Sequence, residues 1–352
     1  MITQLTVTRF IGILLIVIFH FGQSAYPFNS SFVFHTVSNF GNAAVSYFFV
    51  LSGFIMTISY YNKQPIDYKK FLLSRFARIY PVYFISLIFY IISSHTPISY
   101  HQGFYQFAAN IFLLQSWIPS FPLSLNSPNW FLSILVFFYL LFPYILSYMI
   151  NMENKKRFLF VLIIWLLSFV IFIVLHKKFY RGFPSNIHDL IFYNPLMHLN
   201  AFIVGIWGGI YFKNRNHLKC DPFLSITSFL SSLVLIFIIF ALNLTPYSCY
   251  HNGLLAPIFL VLILSLSLDK TIFSSFLSKK PFVILGHLSY SMYLLQYPLI
   301  IVMNNLDSQN KIANTTQFFY IYLLILISSS FLIYYLFERP LGNLIALKSK
   351  EI

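Results

Sequence analysis

Residues 5–21 read LTVTRFIGILLIVIFHF, an apolar run broken by one arginine, Arg9, and one histidine, His20. A run of this length and composition suits a helix that crosses a bilayer. Eleven residues of α-helix make about three turns, so Arg9 and His20 share one face, roughly 16 Å apart along the axis. A charge inside a membrane helix is expensive and faces a protein interior or a watery cavity. One helix thus carries a fixed cation near one membrane face and a proton-transfer group deep inside. The plainer reading is that Arg9 snorkels to the headgroups while His20 hydrogen-bonds a neighbouring helix.

The rest of the chain has the same character. It is 59% hydrophobic and 9% charged, with a mean hydropathy of +0.77, whereas soluble domains carry about 25% charged residues. An all-α integral membrane protein is expected. Spans of about 20 residues consume most of the 352 residues, which predicts a single transmembrane domain over 1–352 with no appended soluble domain. The formal charge of +14 would suit nucleic acid, but the charges fall in short loops between spans, where membrane orientation puts them. No nucleic-acid partner is expected. The first run lacks a strong basic n-region and an A-x-A site, so it reads as a retained helix and not a cleaved signal.

Ten crossings are predicted, at about 5–23, 40–61, 80–95, 129–150, 157–176, 192–212, 222–243, 252–268, 283–304 and 317–337. One further apolar stretch, FYQFAANIFLLQSW (104–117), is short and is followed by Pro119, Pro122 and Pro128. That length suits a short re-entrant or interfacial helix. Charge counting agrees. With the N-terminus in the cytoplasm and 104–117 not crossing, 17 of the 22 Lys and Arg lie on the cytoplasmic side and 4 outside, Arg9 being within the membrane. If 104–117 crossed, the split would be 9 inside and 12 outside. The positive-inside rule favours the first arrangement, with both termini cytoplasmic. It puts Cys220 inside and Cys249 outside, so no intramolecular disulfide is expected.

Several polar residues stand out. Arg75 and Arg78 are i,i+3 neighbours and share a helix face. Two guanidiniums at a membrane boundary suit a phosphorylated ligand; headgroup anchoring is the ordinary alternative. Asn129 and Trp130 open a span, where Trp130 could stack on a sugar ring or serve as an interfacial anchor. His198 and Asn200 suit helix–helix hydrogen bonds, and Gly205, Gly208 and Gly209 suit close helix packing. His251 and Asn252 stand at the outer end of a span and could line an acceptor entrance. HExxH, CxxC, Walker and GxGxxG patterns do not occur, so no metal is expected.

Six motifs occur in order: Arg9-x10-His20; FFVLSGF (48–54); RFARIYPVY (75–83), which holds Arg75-x-x-Arg78; PNWFL (128–132) leading into FFYLLFP (137–143); LGHLSYSMYLLQYPL (285–299); and YYLFERPL (334–341). Together they resemble the acyltransferase-3 family of bacterial integral membrane acyltransferases, which includes O-acetyltransferases of surface polysaccharides. The resemblance runs from about residue 5 to 342. It implies transfer of an acyl group, usually acetyl from cytoplasmic acetyl-CoA, to a hydroxyl of a cell-envelope glycan such as lipopolysaccharide O-chain, capsule, exopolysaccharide or peptidoglycan. It further implies a bacterial cytoplasmic (inner) membrane location, roles for Arg9 and His20 in catalysis, and contact of Arg75 and Arg78, with Arg9, to the phosphates of the coenzyme. Glu338 matches the acidic residue of the last motif. A separate partner protein that finishes the transfer is left open.

The shape of acetyl-CoA agrees with this, since its phosphates lie at one end and its thioester at the other. Hydroxyl acetylation needs a base, and neutral imidazole is the useful form. His20 takes that role, or is itself acetylated in a double displacement. Two positions depart from the family. Leu135 stands where many members have Glu, and Gln296 where many have His, which throws the chemistry onto His20. With no acidic residue deep in any predicted span, a Ser-His-Asp triad is not expected. A multispanning transporter or flippase of a glycan intermediate is the other class compatible with ten spans and a buried Arg and His. A family member that only carries acyl-CoA is a third.

Overall fold

The computed structural model describes residues 2–94, 102–215, 222–242, 247–307 and 315–341. Within them every regular element is helical. In chain order these are α1 (Gln4–Val17), α2 (Phe32–Asn39), α3 (Gly41–Tyr60), α4 (Tyr68–Ser94), α5 (Gln102–Ile111), α6 (Trp130–Ile150), α7 (Asn154–Phe179), α8 (Asn186–Tyr193), α9 (Leu199–Arg215), α10 (Pro222–Ala241), α11 (Tyr247–His251), α12 (Ala256–Leu268), α13 (Ile272–Leu277), α14 (Lys280–Leu306) and α15 (Thr316–Ile333).

Each of the ten predicted crossings finds a helix. Eight helical stretches among the described residues are long and apolar enough to cross a membrane. The other two crossings correspond to α12 and α14. The α12 helix is only 13 residues long, about 20 Å. The α14 helix has 27 residues, about 40 Å, and its polar side chains dilute its hydropathy. The segment 104–117 does not form one helix. It leaves α5 after Ile111, turns through Leu113 at φ 56° and closes as a short 3-10 turn over Gln115–Trp117. The buried Gln115 and Ser116 then tie this turn to α6, Gln115 Nε2 donating to Asn129 O (3.0 Å) and Ser116 Oγ to Trp130 O (2.9 Å).

Two boundaries differ from the sequence expectation. The predicted crossing at 80–95 begins at Tyr68, so Arg75 and Arg78 ride on α4 itself and not in a loop. Arg157, counted with the loop cations, is buried and caps the end of α6, donating to the carbonyls of Met149 (2.6 Å), Ile150 (3.1 Å) and Met152 (2.6 Å). Unpaired carbonyls at a helix C-terminus attract a cation in this way. Of the two cysteines, Cys220 lies outside the described residues and Cys249 is buried.

At the centre, α3 packs along α9, and α1 is held between α3 and α14. The α3–α9 crossing needs glycine on both sides. A Cβ on Gly53 would strike the Phe202 carbonyl, and one on Gly205 the Val50 carbonyl. Small residues that let backbones approach are the usual solution where helices meet in lipid. In contrast, α7 turns Leu159, Ile163, Leu167 and Val170 outward, the surface expected of a helix that faces acyl chains.

Candidate active site

The helix that opened the reading carries its two polar residues into two different cavities. Arg9 lines a cavity of about 170 Å³, together with Arg75 and Arg78 of α4, Ser52 of α3, Leu135 and Tyr139 of α6, His287 and Tyr290 of α14, and Glu338. His20 lines a second, of about 280 Å³, together with Asn42, Ser127, Trp130, His188, Tyr193, His251 and Tyr297. Ile16, Val45 and Tyr293 belong to both linings. The cavities therefore stand back to back, divided by those three side chains. Arg9 and His20 are brought into one functional region but not into contact.

The arginine cavity carries an excess of positive charge on its wall. Among the described residues, Arg9 and Arg78 have no hydrogen-bond or ion-pair partner in the protein. Arg75 Nη2 donates to Tyr60 Oη at 3.3 Å, and its guanidinium lies over the rings of Tyr60 (5.3 Å) and Phe71 (5.5 Å). Arg75 Nε is buried without a partner. Among the described residues, Glu338 is the sole carboxylate on the cavity wall. It accepts a 2.9 Å bond from Ser291 Oγ and makes no ion pair with the arginines within 4.0 Å. Three cations facing one carboxylate leave an excess of positive charge in a partly desolvated space, which a bound anion would neutralise.

His20 is held in one tautomer. Its Nδ1 lies 3.0 Å from Gln296 Oε1, and the buried Gln296 donates its amide to Tyr293 O at 2.9 Å. With the amide spent on a carbonyl, the oxygen faces His20, so Nδ1 carries the hydrogen and Nε2 keeps its lone pair. Nε2 has no partner in the protein among the described residues. The ring lies deep in the bundle yet is accessible, because the cavity opens beside it. His20 sits on a single π-helical turn, Ile18–Gly22, and Glu338 ends a second one, Tyr334–Glu338. Such turns interrupt α-helices and occur often at functional sites.

Gln296 therefore has a positioning place at the site. A carboxamide cannot pass a proton on as imidazole can, so it orients His20 without relaying for it. Leu135 faces the arginine cavity, the side of the wall where a Glu would have doubled the negative charge.

The remaining candidates fall around the histidine cavity. Trp130 is 6% exposed, which excludes the anchor reading. It lies against Tyr193 (5.0 Å), His251 (5.2 Å) and His198 (5.7 Å). His251 is buried and its Nδ1 has no partner. Asn129 lines neither cavity. It is fully buried, its backbone carbonyl is taken by Gln115, and neither polar atom of its side chain has a partner. Asn200 makes the interhelical bond expected of it, its Nδ2 donating to Asn252 O (3.0 Å), whereas His198 Nε2 donates locally to Phe192 O (2.9 Å), within the predicted span 192–212 and not between spans. Two cavity histidines were passed over in the sequence: His287, stacked on Tyr334 at 5.6 Å, and His188, next to Asp189. His287 stands within the 285–299 motif and His188 lies outside every motif; only the packing of distant helices puts them on a wall.

Helices, cavities and motif order define a multi-pass membrane protein of the acyltransferase class. A family model described as an acyltransferase domain matches residues 2–336, and the chain belongs to that family, acyltransferase-3. The O-acetyltransferase OatA of Staphylococcus aureus is 26% identical over 296 residues, covering 77% of this chain and 48% of the relative. The peptidoglycan O-acetyltransferase OatA of Listeria monocytogenes is 26% identical over 291 residues, or 74% of this chain and 45% of the relative. The acyltransferase MdmB of Streptomyces mycarofaciens is 34% identical over 116 residues, or 30% of this chain and 29% of the relative. The chain spans about half the length of the OatA relatives it matches. No solved structure matches it.

Proposed function

We propose that this chain is an O-acetyltransferase of a bacterial cytoplasmic membrane. It takes acetyl from acetyl-CoA at the arginine cavity and delivers it to a hydroxyl of a cell-envelope glycan at the histidine cavity. The observation that carries this reading is the back-to-back pair of cavities, one with three guanidiniums and the other with an imidazole in a fixed tautomer.

At about 170 Å³ the arginine cavity is smaller than the roughly 300–1,000 Å³ that sites for drug-sized ligands occupy. It suits the thioester arm and a phosphate, with the nucleotide left at the mouth beside the exposed Arg78. Arg75, with its buried unpartnered Nε, would hold phosphate. Arg9 lies deeper on α1 and would hold charge close to the thioester. His20 Nε2 would meet the acetyl carbon from across the shared wall, as base or as nucleophile. Trp130, Tyr193 and Tyr297 offer flat apolar faces to a sugar ring, with the polar groups of Asn42 and Ser127 among them. The charge distribution supports a cytoplasmic arginine cavity, cytoplasmic termini and an external histidine cavity.

The name of the Listeria relative makes peptidoglycan the first acceptor to test, ahead of capsule, exopolysaccharide and lipopolysaccharide O-chain. The deciding experiment gives labelled acetyl-CoA to membranes carrying the chain and measures base-labile acetate in the envelope glycan fraction. Label in the glycan, lost with His20→Ala at unchanged protein level, is expected. A flippase would move glycan without transferring label.

A further inference from the structure

A second imidazole on the histidine cavity is set up as a base. His188 sits at the start of α8, where Ser185 caps the helix by accepting from His188 N at 3.1 Å. Its Nδ1 is 3.3 Å from Asp189 Oδ1. The other carboxylate oxygen accepts from Ser120 N at 2.8 Å, and Ser120 Oγ in turn donates to Asn186 Oδ1 at 2.9 Å. The carboxylate is thus fixed from two sides. Because it only accepts, it selects the tautomer with hydrogen on Nδ1 and the lone pair on Nε2. The imidazole is packed among Phe192 (4.5 Å), Phe183 (4.9 Å) and Tyr193 (5.5 Å). It lines the same cavity as His20, and its Nε2 has no partner in the protein among the described residues. A carboxylate that orients an imidazole and compensates its charge on protonation is the arrangement by which acyl-transfer enzymes build a general base.

We propose that the two imidazoles divide the reaction: His20 is the nucleophile that receives acetyl, and His188, positioned by Asp189, is the base that activates the acceptor hydroxyl. This rests on the acetyl-transfer reading above. In the first half, His20 Nε2 attacks the thioester carbon, the C–S bond breaks and coenzyme A leaves as thiolate. In the second, His188 Nε2 takes the hydroxyl proton as the acceptor oxygen attacks the acetyl carbon. The C–N bond breaks and its electron pair returns to His20. His188 then releases its proton to water in the cavity, and the thiolate takes one from water on its own side, so the products are ester, thiol and unchanged enzyme. The division follows from placement. His20 follows Ile16 of the shared wall by one turn on the first helix, whereas His188 comes from α8 and, like the rest of that helix, is absent from the arginine cavity's lining.

The halves can be measured apart in membranes carrying the full chain and its native glycan, using [14C]acetyl-CoA. In wild type, thiol release and glycan label should rise together. His188→Ala should keep first-turnover thiol release and leave label on the protein, with that label absent in a His20→Ala, His188→Ala double variant. Its glycan acetylation should fall about 100-fold or more, the range general bases supply, and imidazole added to the medium should restore part of it. Asp189→Asn, which removes a positioning group, should show the same split with a smaller loss. The division is overturned if His188→Ala acetylates glycan within threefold of wild type, or if it loses both halves together without imidazole rescue while present at normal level. Absence of both thiol release and glycan label in wild type would overturn the acetyl-transfer reading and the division with it. Wild-type transfer with an intact His188→Ala would overturn the division alone.

Discussion

The two cavities are neighbours of opposite chemistry. Among the described residues, the arginine cavity is charged, has one carboxylate, and leaves Arg9, Arg78 and the Nε of Arg75 without partners. Among the described residues, the histidine cavity carries no Lys or Arg on its wall; its polar groups are imidazoles, phenols, an indole, an amide and a hydroxyl set among apolar side chains. In the first, the wall supplies positive charge that the protein itself does not neutralise. In the second, two imidazoles already have a hydrogen-bond partner on Nδ1, Gln296 for His20 and Asp189 for His188. On the proposed function, the difference is a division between holding a substrate and reacting with it: unpartnered cations would give affinity, and pre-oriented imidazoles would give rate.

That contrast can be broken in graded ways. The largest effect is expected at His20. His20→Ala should lower glycan acetylation by about 100-fold or more with the protein still in the membrane, and unchanged acetate content would remove His20 from the chemistry. Next, Arg75→Ala combined with Arg78→Ala should raise the KM for acetyl-CoA about tenfold to a hundredfold, as expected for loss of charge-assisted bonds, with kcat changed much less. A fall in kcat at constant KM would move those arginines out of the holding role. Gln296→Leu removes the acceptor that fixes the His20 tautomer and should lower kcat about fivefold, the worth of one ordinary hydrogen bond, leaving KM for acetyl-CoA nearly constant. The smallest effect belongs to the shared wall. Val45→Ala thins it and should improve propionyl-CoA relative to acetyl-CoA by about two- to fourfold, near the value of one methylene; no change in preference would mean the acyl group does not pass that wall.

Much of this was legible in the chain. Apolar runs marked the ten helices read as crossings, and the shortness of 104–117, with prolines following at 119, 122 and 128, marked a segment unlike them. Arg9 and His20 were readable as one face because a regular helix returns to register after 11 residues. Their separation into two cavities was not, since Ile16, Val45 and Tyr293 come together from α1, α3 and α14 only in the folded bundle. The start of α4 was misplaced because its first turns hold Lys69, Lys70, Arg75 and Arg78, which dilute the apolar signal that sets a boundary. Trp130 read as an anchor because its position at a helix start is the usual one for an interfacial indole; His198 and His251, distant in sequence, bury it. The His188–Asp189 pair was invisible for the same reason. Adjacent residues carry no sign that a backbone amide from Ser120 will fix the carboxylate.

The central claim is that donor and acceptor reach this wall from opposite faces of the membrane. The direct measurement is labelling by a membrane-impermeant maleimide of single cysteines placed in each cavity, in a Cys220→Ser, Cys249→Ser background. Ser127→Cys, on the histidine cavity, should label in intact cells. Ser52→Cys, on the arginine cavity, should label only in inside-out vesicles and be protected there by acetyl-CoA. Labelling of both positions from the same face would contradict the account.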